Sequence, residues 1–375
     1  MGEGLRKDGV MTDYELSSVK KVIGTHFKKA AELSCYLREH PELPDQEFES
    51  SRKMVEILKE AGFEVTYPFA GYETAFHALF DNGDGPEVAI LAEYDALPEI
   101  GHGCGHNLHG SLSVLTGLAL KDLKEFYRGK VHVIGTPAEE ENGAKIGMAA
   151  QGIFDNMSLA MMMHSWSGGK CRADMDALSL QCYFVEFYGQ AAHAVAAPWE
   201  GKSALAAARK FLDLIDARRE CFTPDVHVNS IILDGGKAPN IIPDYVKLRM
   251  EFRTATMKSM GAVDEMVKKC ADGAAMALDC TVKFTSVFEF ADMVRNMTLE
   301  EEIIRQFEAF GMPTTGVEAA SGSSDVGNVS YRCPAIQPLL AVTDEDYALH
   351  TAAFRDATAL PQAEEAMEKG ACILA

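Results

Sequence analysis

The stretch PEVAILAEYDALPEIGHGCGHNLHG, residues 86–110, determines our prediction of the fold. Its first part, PEVAILAEYD, is an almost continuous apolar run, which is typical of a strand buried on both faces of a parallel sheet. A glycine-rich segment containing cysteine and histidine follows, and the sequence NLHGSLSVLTGLALKDLKEFY after it predicts a helix. The stretch therefore places metal-capable side chains in the connection between a buried strand and a helix.

The same arrangement occurs twice more along the chain. The sequence KVHVIGTP (130–137) predicts a second buried strand, and Glu139 and Glu140 follow it. The sequence LAMMMHS (159–165) predicts a third strand, with His164 near its end. Strands that alternate with helices indicate an α/β domain, here a largely parallel mixed sheet flanked by helices.

The pattern changes near residue 179. From there to residue 291 the order of predicted elements is β-α-β-β-α-β, which is that of a ferredoxin-like α+β unit. After about residue 291 the chain returns to mixed α/β character. We therefore predict one domain of residues 1–178 and 292–375, with a second domain of residues 179–291 inserted into it.

The charge balance excludes some classes of partner. Lys and Arg number 35 and Asp and Glu number 56, so the formal charge is −21 over 375 residues. An acidic surface repels phosphate, so we expect neither nucleic acid nor an anionic membrane as a partner. The first residues lack the apolar core of an export signal, and no apolar run is long enough to span a bilayer. The nine scattered cysteines are interpreted as reduced thiols, and we expect a cytoplasmic location.

Cysteine, histidine and glutamate side chains together suit zinc or a similar divalent metal ion. Cys104, His106, Glu139, Glu140 and His164 all follow predicted parallel strands, at the sheet edge where open α/β folds build their sites. Each motif alone has a simpler explanation, such as a small buried cysteine beside a hydrogen-bonded histidine, or an exposed acidic loop. The agreement between separate segments favours a shared metal site.

Eight segments, spread over almost the whole chain, carry a resemblance to a known family and occur in the family's order. They are REHPEL (38–43), AEYDALPEIGHGCGHN (92–107), TPAEE (136–140), MMMHS (161–165), GQAAHAVAAPWEGKSAL (189–205), GGKAPNIIPD (235–244), GSSDVGNVS (322–330) and ALHTAAF (348–354). The sequence resembles the co-catalytic metal-dependent amidohydrolase and aminoacylase family of metallopeptidases. The motifs AEYDALP and AAPWEG are most similar to the aminobenzoyl-glutamate hydrolase and dipeptidase-like branch, which is also similar to indole-acetyl-amino-acid hydrolases.

The resemblance implies a site for two divalent metal ions per subunit, zinc or manganese. The resemblance implies that Cys104 bridges the two ions. It implies no metal role for His102 or His109. We expect ordinary roles for these two histidines, in the loop and at the start of the helix. The residues that match the family's ligands are Cys104, His106, Glu140, His164 and His350.

The resemblance also implies catalytic and substrate-binding residues. Glu139 matches the general base, and Asp95 matches an acidic residue that would orient a ligand imidazole. His193 matches a histidine of the inserted domain that reaches the active site of the partner subunit. Asn240 matches a residue near the substrate, and Arg253 is a candidate for binding a substrate carboxylate. These matches imply a homodimer formed through the inserted domain, which would also act as a lid.

The implied reaction is hydrolysis of the amide bond in small N-acyl amino acids, aminobenzoyl-glutamate-like conjugates or dipeptides. Two alternatives stay open at this point: a thiol amidase with Cys104 as nucleophile, and a non-catalytic metal-binding homologue. A thiol amidase should keep its activity when a chelator removes metal, whereas the metal-dependent enzyme should lose it. Glu139 argues against a non-catalytic homologue, because a purely structural metal site needs no general base. The sequence departs from the family at Glu141, which adds negative charge beside the site, and at Ser165, where proline is common.

Overall fold

The structure is a computed structural model and describes residues 13–320 and 322–375. The chain divides into two compact units. The domain boundaries predicted from the sequence, at 178/179 and 291/292, stay a prediction. The first unit contains the residues up to Met175, Val294–Glu318 and Val329–Ala375, and the second contains Asp176–Met293 and Ala319–Asn328.

The described residues form α-helices and strands that we number in chain order. None of the described helices combines the length and apolar character needed to cross a membrane. The helices are α1 (Asp13–Glu39), α2 (Phe48–Glu60), α3 (His106–Asp122), α4 (Ala144–Ala150), α5 (Ala204–Arg218), α6 (Met257–Ala277), α7 (Met297–Ala309), α8 (Val326–Ser330), α9 (Ala352–Ala357) and α10 (Pro361–Leu374). The strands are β1 (Glu64–Thr66), β2 (Phe76–Asp81), β3 (Glu87–Ala92), β4 (Lys130–Gly135), β5 (Leu159–Met161), β6 (His164–Trp166), β7 (Cys171–Arg172), β8 (Ser179–Tyr188), β9 (His227–Asp234), β10 (Tyr245–Thr254), β11 (Thr281–Phe290), β12 (Thr314–Thr315), β13 (Ala335–Ile336) and β14 (Leu339–Ala341).

The first unit is built on a six-stranded sheet with the strand order β1-β2-β4-β3-β5-β13. Strands β4, β3, β5 and β13 run parallel to one another, whereas β2 pairs antiparallel with both β1 and β4. Apolar side chains of one sheet face, among them Phe76, Ala78 and Val133, form a buried core with Val114 and Leu118 of α3. The predicted α/β class, with a largely parallel mixed sheet flanked by helices, is confirmed.

Helix α3 packs unusually close to the sheet, and glycines make this approach possible. A Cβ atom at Gly110 would lie 2.0 Å from the carbonyl oxygen of Glu93, and one at Gly117 would lie 2.4 Å from Val133 Cγ2. Both distances are far below van der Waals contact, so these positions require glycine. The first turn of α3 therefore lies directly against the carboxyl end of β3, where the candidate site forms.

The segment LAMMMHS differs from its prediction as one strand. Its first part is β5 in the six-stranded sheet, whereas its last part begins β6 in a separate four-stranded sheet, β12-β7-β14-β6. The chain crosses between the sheets at Met162 and Met163, whose side chains are fully buried. The apolar pattern could not reveal this division, because a buried crossing and a buried strand have the same continuous hydrophobicity.

The second unit contains a four-stranded antiparallel sheet with the strand order β11-β8-β10-β9. Helices α5 and α6 cover one face, and side chains such as Phe187, Phe211 and Phe252 are fully buried in their shared core. The β-α-β-β-α-β order predicted for this part of the chain is confirmed. Strand β9 forms one edge of the sheet.

Candidate metal centre

The carboxyl ends of β3 and β4 lie side by side and carry the acidic groups of the site. The two strands pair in parallel up to their last residues, Ala92 and Gly135. Asp95 follows the end of β3, and Glu139 and Glu140 follow the end of β4. The Glu140 backbone N–H donates to Asp95 Oδ2 at 3.0 Å, which ties the two connections together.

The glycine-rich turn at Gly103 and Gly105 positions the side chains of Cys104 and His106 near these carboxylates. Gly105 has φ +84°, and a Cβ atom there would lie 2.6 Å from Ser165 Cβ, so only glycine fits this turn. His106, the first residue of α3, and Cys104 before the turn are both buried. The carbonyl of Gly103 accepts the backbone N–H of His350 at 2.8 Å, which brings a distant part of the chain to the same place.

His106 is oriented by Asp95. Its Nδ1 donates to Asp95 Oδ1 at 2.9 Å, which leaves the lone pair of Nε2 free to bind a metal ion. Nε2 lies 3.6 Å from Glu93 Oε2 and 3.9 Å from Glu140 Oε1, beyond hydrogen-bond range of either oxygen. Burial acts to lower the pKa of His106, but the charge of Asp95, together with Cys104, outweighs it and raises the pKa well above its usual range.

The imidazole of His164 is also held through its Nδ1, but by a main-chain carbonyl. Its Nδ1 donates to the carbonyl of Ser165 at 2.8 Å, and its Nε2 lies 3.5 Å from Cys104 Sγ. Burial, followed by the charge of Glu140, raises the pKa of the Cys104 thiol well above its usual range. A bound cation is the kind of partner that would deprotonate a thiol in this environment.

Glu140 and His350 form a pair beside Cys104. His350 Nε2 lies 3.3 Å from Glu140 Oε1, and its interaction with this carboxylate raises the pKa of His350. The imidazole of His350 is half exposed, in contrast to the buried His106 and His164. His350 has φ +62°, a left-handed conformation that side chains other than glycine rarely adopt.

The ligand atoms converge in overlapping groups in which all atoms lie within 4.8 Å of one another. The thiol, imidazole and carboxylate groups suit zinc and similar ions. The buried Nε2 of His106 lies among them and has no hydrogen bond to Glu93 Oε2 or Glu140 Oε1. The residues therefore fit a divalent metal site. The structure brings all five predicted ligands and Glu139 into this cluster, while their individual roles stay predictions. Three of these groups are Glu93, His106, His109 and His164; Cys104, Glu140 and His350; and His106, Glu139 and Glu140.

Sequence reasoning missed an ionic network that joins Glu93 and His109 of the cluster to Lys145. Glu93 Oε1 accepts from Lys145 Nζ at 2.6 Å, and Glu93 Oε2 accepts from His109 Nε2 at 3.0 Å. His109 Nδ1 in turn accepts the backbone N–H of Ser165 at 3.2 Å. Glu93 lies two residues before Asp95, and residues at this spacing in an extended chain point to the same side, so the sequence could have placed Glu93 near the site. Nothing in the sequence indicates that Lys145 is completely buried.

The predicted substrate-binding residues all belong to the second unit. His193 is exposed, and its Nδ1 accepts the backbone N–H groups of Val195 and Ala196 at 3.2 and 3.1 Å. Nε2 is therefore the nitrogen left for a ligand. The carbonyl of Asn240 accepts the N–H of the residue after His193, and Arg253 Nη1 donates to Ser323 Oγ at 3.1 Å. Their roles in binding substrate stay predictions.

Comparison with known proteins relates the chain to hydrolases. The sequence profile described as the peptidase dimerisation domain matches residues 179–277. An Xaa-Arg dipeptidase from Mus musculus is 33% identical, over 93% of this chain and 85% of the relative. One of the subunits of the p-aminobenzoyl-glutamate hydrolase from Escherichia coli is 30% identical, over 73% of this chain and 61% of the relative.

Solved structures show the same fold at lower sequence identity. An aminobenzoyl-glutamate utilization protein from Klebsiella pneumoniae has a TM-score of 0.76 and 19% identity, over 95% of this chain and 97% of that one. A dinuclear metal-binding peptidase of the M20 family from Bacillus subtilis has a TM-score of 0.70 and 20% identity, over 94% of this chain and 98% of that one. At these identities the similarity concerns the fold alone.

Proposed function

This chain belongs to the M20 peptidase family, as its match to the peptidase dimerisation domain and its 33% identity to the Xaa-Arg dipeptidase show, and on that premise we propose that it is a metal-dependent hydrolase of amide bonds in dipeptides, small N-acyl amino acids or aminobenzoyl-glutamate-like conjugates. The observation that carries the proposal is the position of Glu139. Its carboxylate shares a group of ligand atoms, all within 4.8 Å, with His106 and Glu140. A carboxylate next to a metal site, but not needed as a ligand, is what a general base requires.

We propose that the site holds two divalent ions, zinc or manganese. Cys104, His106, Glu140, His164 and His350 would hold the ions. Bound ions of this kind would supply Lewis acidity, lowering the pKa of a water molecule and polarising the substrate carbonyl. The lone pairs of His106 Nε2 and His164 Nε2 support a ligand role for both residues, because each imidazole is held through its other nitrogen.

The protein's own groups would move the proton. Glu139 would accept a proton from the attacking water and pass it to the nitrogen of the leaving amine, which breaks the amide bond. Asp95 would hold His106 and the backbone of Glu140 in place during both steps. His193 of the partner subunit would donate a hydrogen bond to the developing oxyanion through Nε2. The buried thiol of Cys104 does not suit a nucleophile, because its raised pKa disfavours the thiolate.

Among these substrates we propose dipeptides that end in a basic residue as the preferred class. The Mus musculus relative is an Xaa-Arg dipeptidase, and it is similar over most of both chains. Glu141 is exposed on the connection that carries Glu139, where its charge would attract a cationic side chain and repel an anionic one such as glutamate. Arg253 would bind the terminal carboxylate.

We propose that the protein acts in the cytoplasm as a homodimer whose subunits associate through β9. This strand lies at the edge of its sheet and exposes three consecutive apolar residues, Ile231, Ile232 and Leu233, at 59%, 45% and 49%. A long apolar edge strand is a template for pairing with another strand, here β9 of a second copy. Residues 179–277, which include β9, match the peptidase dimerisation domain.

The test compares Glu139→Gln with Glu141→Gln, the same isosteric change two residues away. Metal-stripped protein receives zinc or manganese and is assayed on a dipeptide ending in arginine and on aminobenzoyl-glutamate. Glu139→Gln should keep its metal and lower kcat by about 10²–10⁴-fold, because the general base is lost. Glu141→Gln should keep kcat and shift the preference towards aminobenzoyl-glutamate.

Two outcomes would contradict the proposal. One is a Glu139→Gln variant that turns over substrate at the wild-type rate. The other is a wild-type protein whose hydrolysis survives complete removal of metal by a chelator, which would favour the thiol amidase instead.

A further inference from the structure

A buried glutamate lies behind the connection that carries Glu139. Glu47 immediately precedes α2, far from the candidate ligands in the sequence, and its side chain is completely buried. Its Oε1 accepts the backbone N–H of Ala138 at 2.8 Å, and its Oε2 accepts the hydroxyl of Thr74 at 2.9 Å. Glu47 therefore contacts the residue directly before Glu139.

Ala138 organises the turn that presents Glu139. It has φ +59°, a left-handed conformation that is unfavourable for alanine. Its carbonyl accepts the backbone N–H groups of Glu141, Asn142 and Gly143, at 3.3, 3.1 and 2.7 Å. The hydrogen bond from the Ala138 N–H to Glu47 holds the residue in this conformation, since an open turn would leave the buried carboxylate without its backbone donor.

The backbone on the other side of Glu139 is also anchored. Asp95 accepts the N–H of Glu140 at 3.0 Å. Glu139 thus lies between two residues whose N–H groups bind buried carboxylates, Glu47 before it and Asp95 after it. Such double anchoring limits movement of the intervening side chain.

The segment from Glu42 to Glu47 makes further contacts with both connections of the site. The carbonyl of Glu42 accepts the N–H of Ala96, next to Asp95, at 2.8 Å. Asp45 Oδ2 accepts the side-chain amide of Asn142 at 2.9 Å. This segment thus braces the connections that follow β3 and β4, and Glu47 is its buried contact with the latter.

We propose that Glu47 is a positioning residue that holds Glu139 at the reacting water by fixing Ala138. The inference rests on the proposed function, because it takes Glu139 as the general base. It assigns Glu47 no contact with substrate or metal. Glu140, which carries the ligand oxygen, has its own anchor in Asp95, so Glu47 should affect proton transfer more than metal binding.

The experiment uses three substitutions of Glu47 and one control in the full-length, metal-loaded protein. Glu47→Ala should lower kcat by about 10–100-fold and leave KM within about threefold, because the base is misplaced while substrate binding persists. Glu47→Gln keeps an acceptor oxygen for Ala138 and should recover kcat to within about threefold of wild type. Glu47→Asp, whose carboxylate reaches less far, should fall between them and serves if Glu47→Ala does not fold.

Asp174→Ala is the matched control. Asp174 is a fully buried carboxylate of the same unit, and its Oδ1 accepts two backbone N–H groups, of Met175 and Gln337, at 2.9 and 2.8 Å. Its removal should cost stability, as that of Glu47 does, but leave kcat unchanged. A kcat that falls equally in Asp174→Ala and Glu47→Ala would mean a general loss of stability and would overturn the inference.

Two readouts do not depend on turnover. In the metal-free protein, backbone amides of residues 138–143 should exchange hydrogen faster in Glu47→Ala than in wild type or Asp174→Ala. Zinc affinity should change by less than kcat does. Unchanged exchange, or a zinc affinity that falls as much as kcat, would overturn the inference.

The two proposals fail in different ways. A wild-type protein without metal-dependent amidase activity would refute the proposed function and, with it, the role of Glu47. An active wild type together with a Glu47→Ala variant of unchanged kcat would refute the role of Glu47 alone.

Discussion

Replacing Asp95 with asparagine tests how the site holds its metal ions. One carboxylate of Asp95 serves two predicted ligands, since Oδ1 accepts from His106 Nδ1 at 2.9 Å and Oδ2 accepts the N–H of Glu140 at 3.0 Å. Asparagine has the same shape and keeps one acceptor oxygen. Its amide nitrogen would face either the His106 or the Glu140 donor, so one hydrogen bond and the negative charge are both lost.

The expected size of the effect follows from these contacts. A hydrogen bond to a charged group contributes about 1.5–3 kcal/mol. Removing a partner that orients a metal-ligating histidine typically lowers metal affinity by about 10–100-fold, which corresponds to about 1.4–2.8 kcal/mol. The two estimates agree, so zinc should bind to Asp95→Asn about 10–100-fold more weakly than to wild type.

Competition between metal-stripped protein and a chromophoric zinc chelator measures this affinity. Asp155→Asn is the control, because Asp155 makes the same kind of charged contact with Arg332 at the surface, away from the ligands. The control should bind zinc as wild type does. If Asp95→Asn also binds zinc with wild-type affinity, Asp95 does not orient the ligands and our account of the site is wrong.

The remaining predictions concern subunit sharing and pH. If His193 acts in the partner's active site, mixing inactive His193→Ala and Glu139→Gln chains should restore part of the turnover, whereas neither variant alone should show it; a mixture without activity would refute sharing. Burial raises the pKa of Asp174 from 3.8 to about 7, with Glu300 and Arg295 as charged neighbours. The folded protein then retains a proton that the unfolded chain releases, so this stability is lost as pH rises from about 4 to 7. The unfolding free energy of wild type should fall over this range by up to about 4 kcal/mol more than that of Asp174→Asn, as measured by urea unfolding, and equal slopes would contradict the assignment.

Much of the fold followed from local pattern. The buried strands β3 and β4 are mostly apolar runs, and helix α3 follows a glycine-rich turn. The order of the elements in the second unit followed from the same kind of pattern. The division of LAMMMHS between two sheets did not, because the fully buried Met162 and Met163 have no polar residue between them to mark the crossing.

The residue types of the candidate site were also predictable, but the bonds between them were not. Cys104, His106 and Glu140 follow strand ends, so their convergence was expected from the parallel sheet. Which nitrogen of His106 or His164 is free depends on the partner of the other nitrogen. That partner is Asp95 in one case and the carbonyl of Ser165 in the other.

The sequence by itself determined the order of most strands and helices along the chain and the kinds of ligand atom available. These properties depend on a residue and its near neighbours. Only the tertiary structure decided that Glu47 holds Ala138, 91 positions along the chain, and that Asp95 holds Glu140, 45 positions away. Such contacts form when packing brings distant segments within hydrogen-bond range, and local periodicity contains no information about that distance.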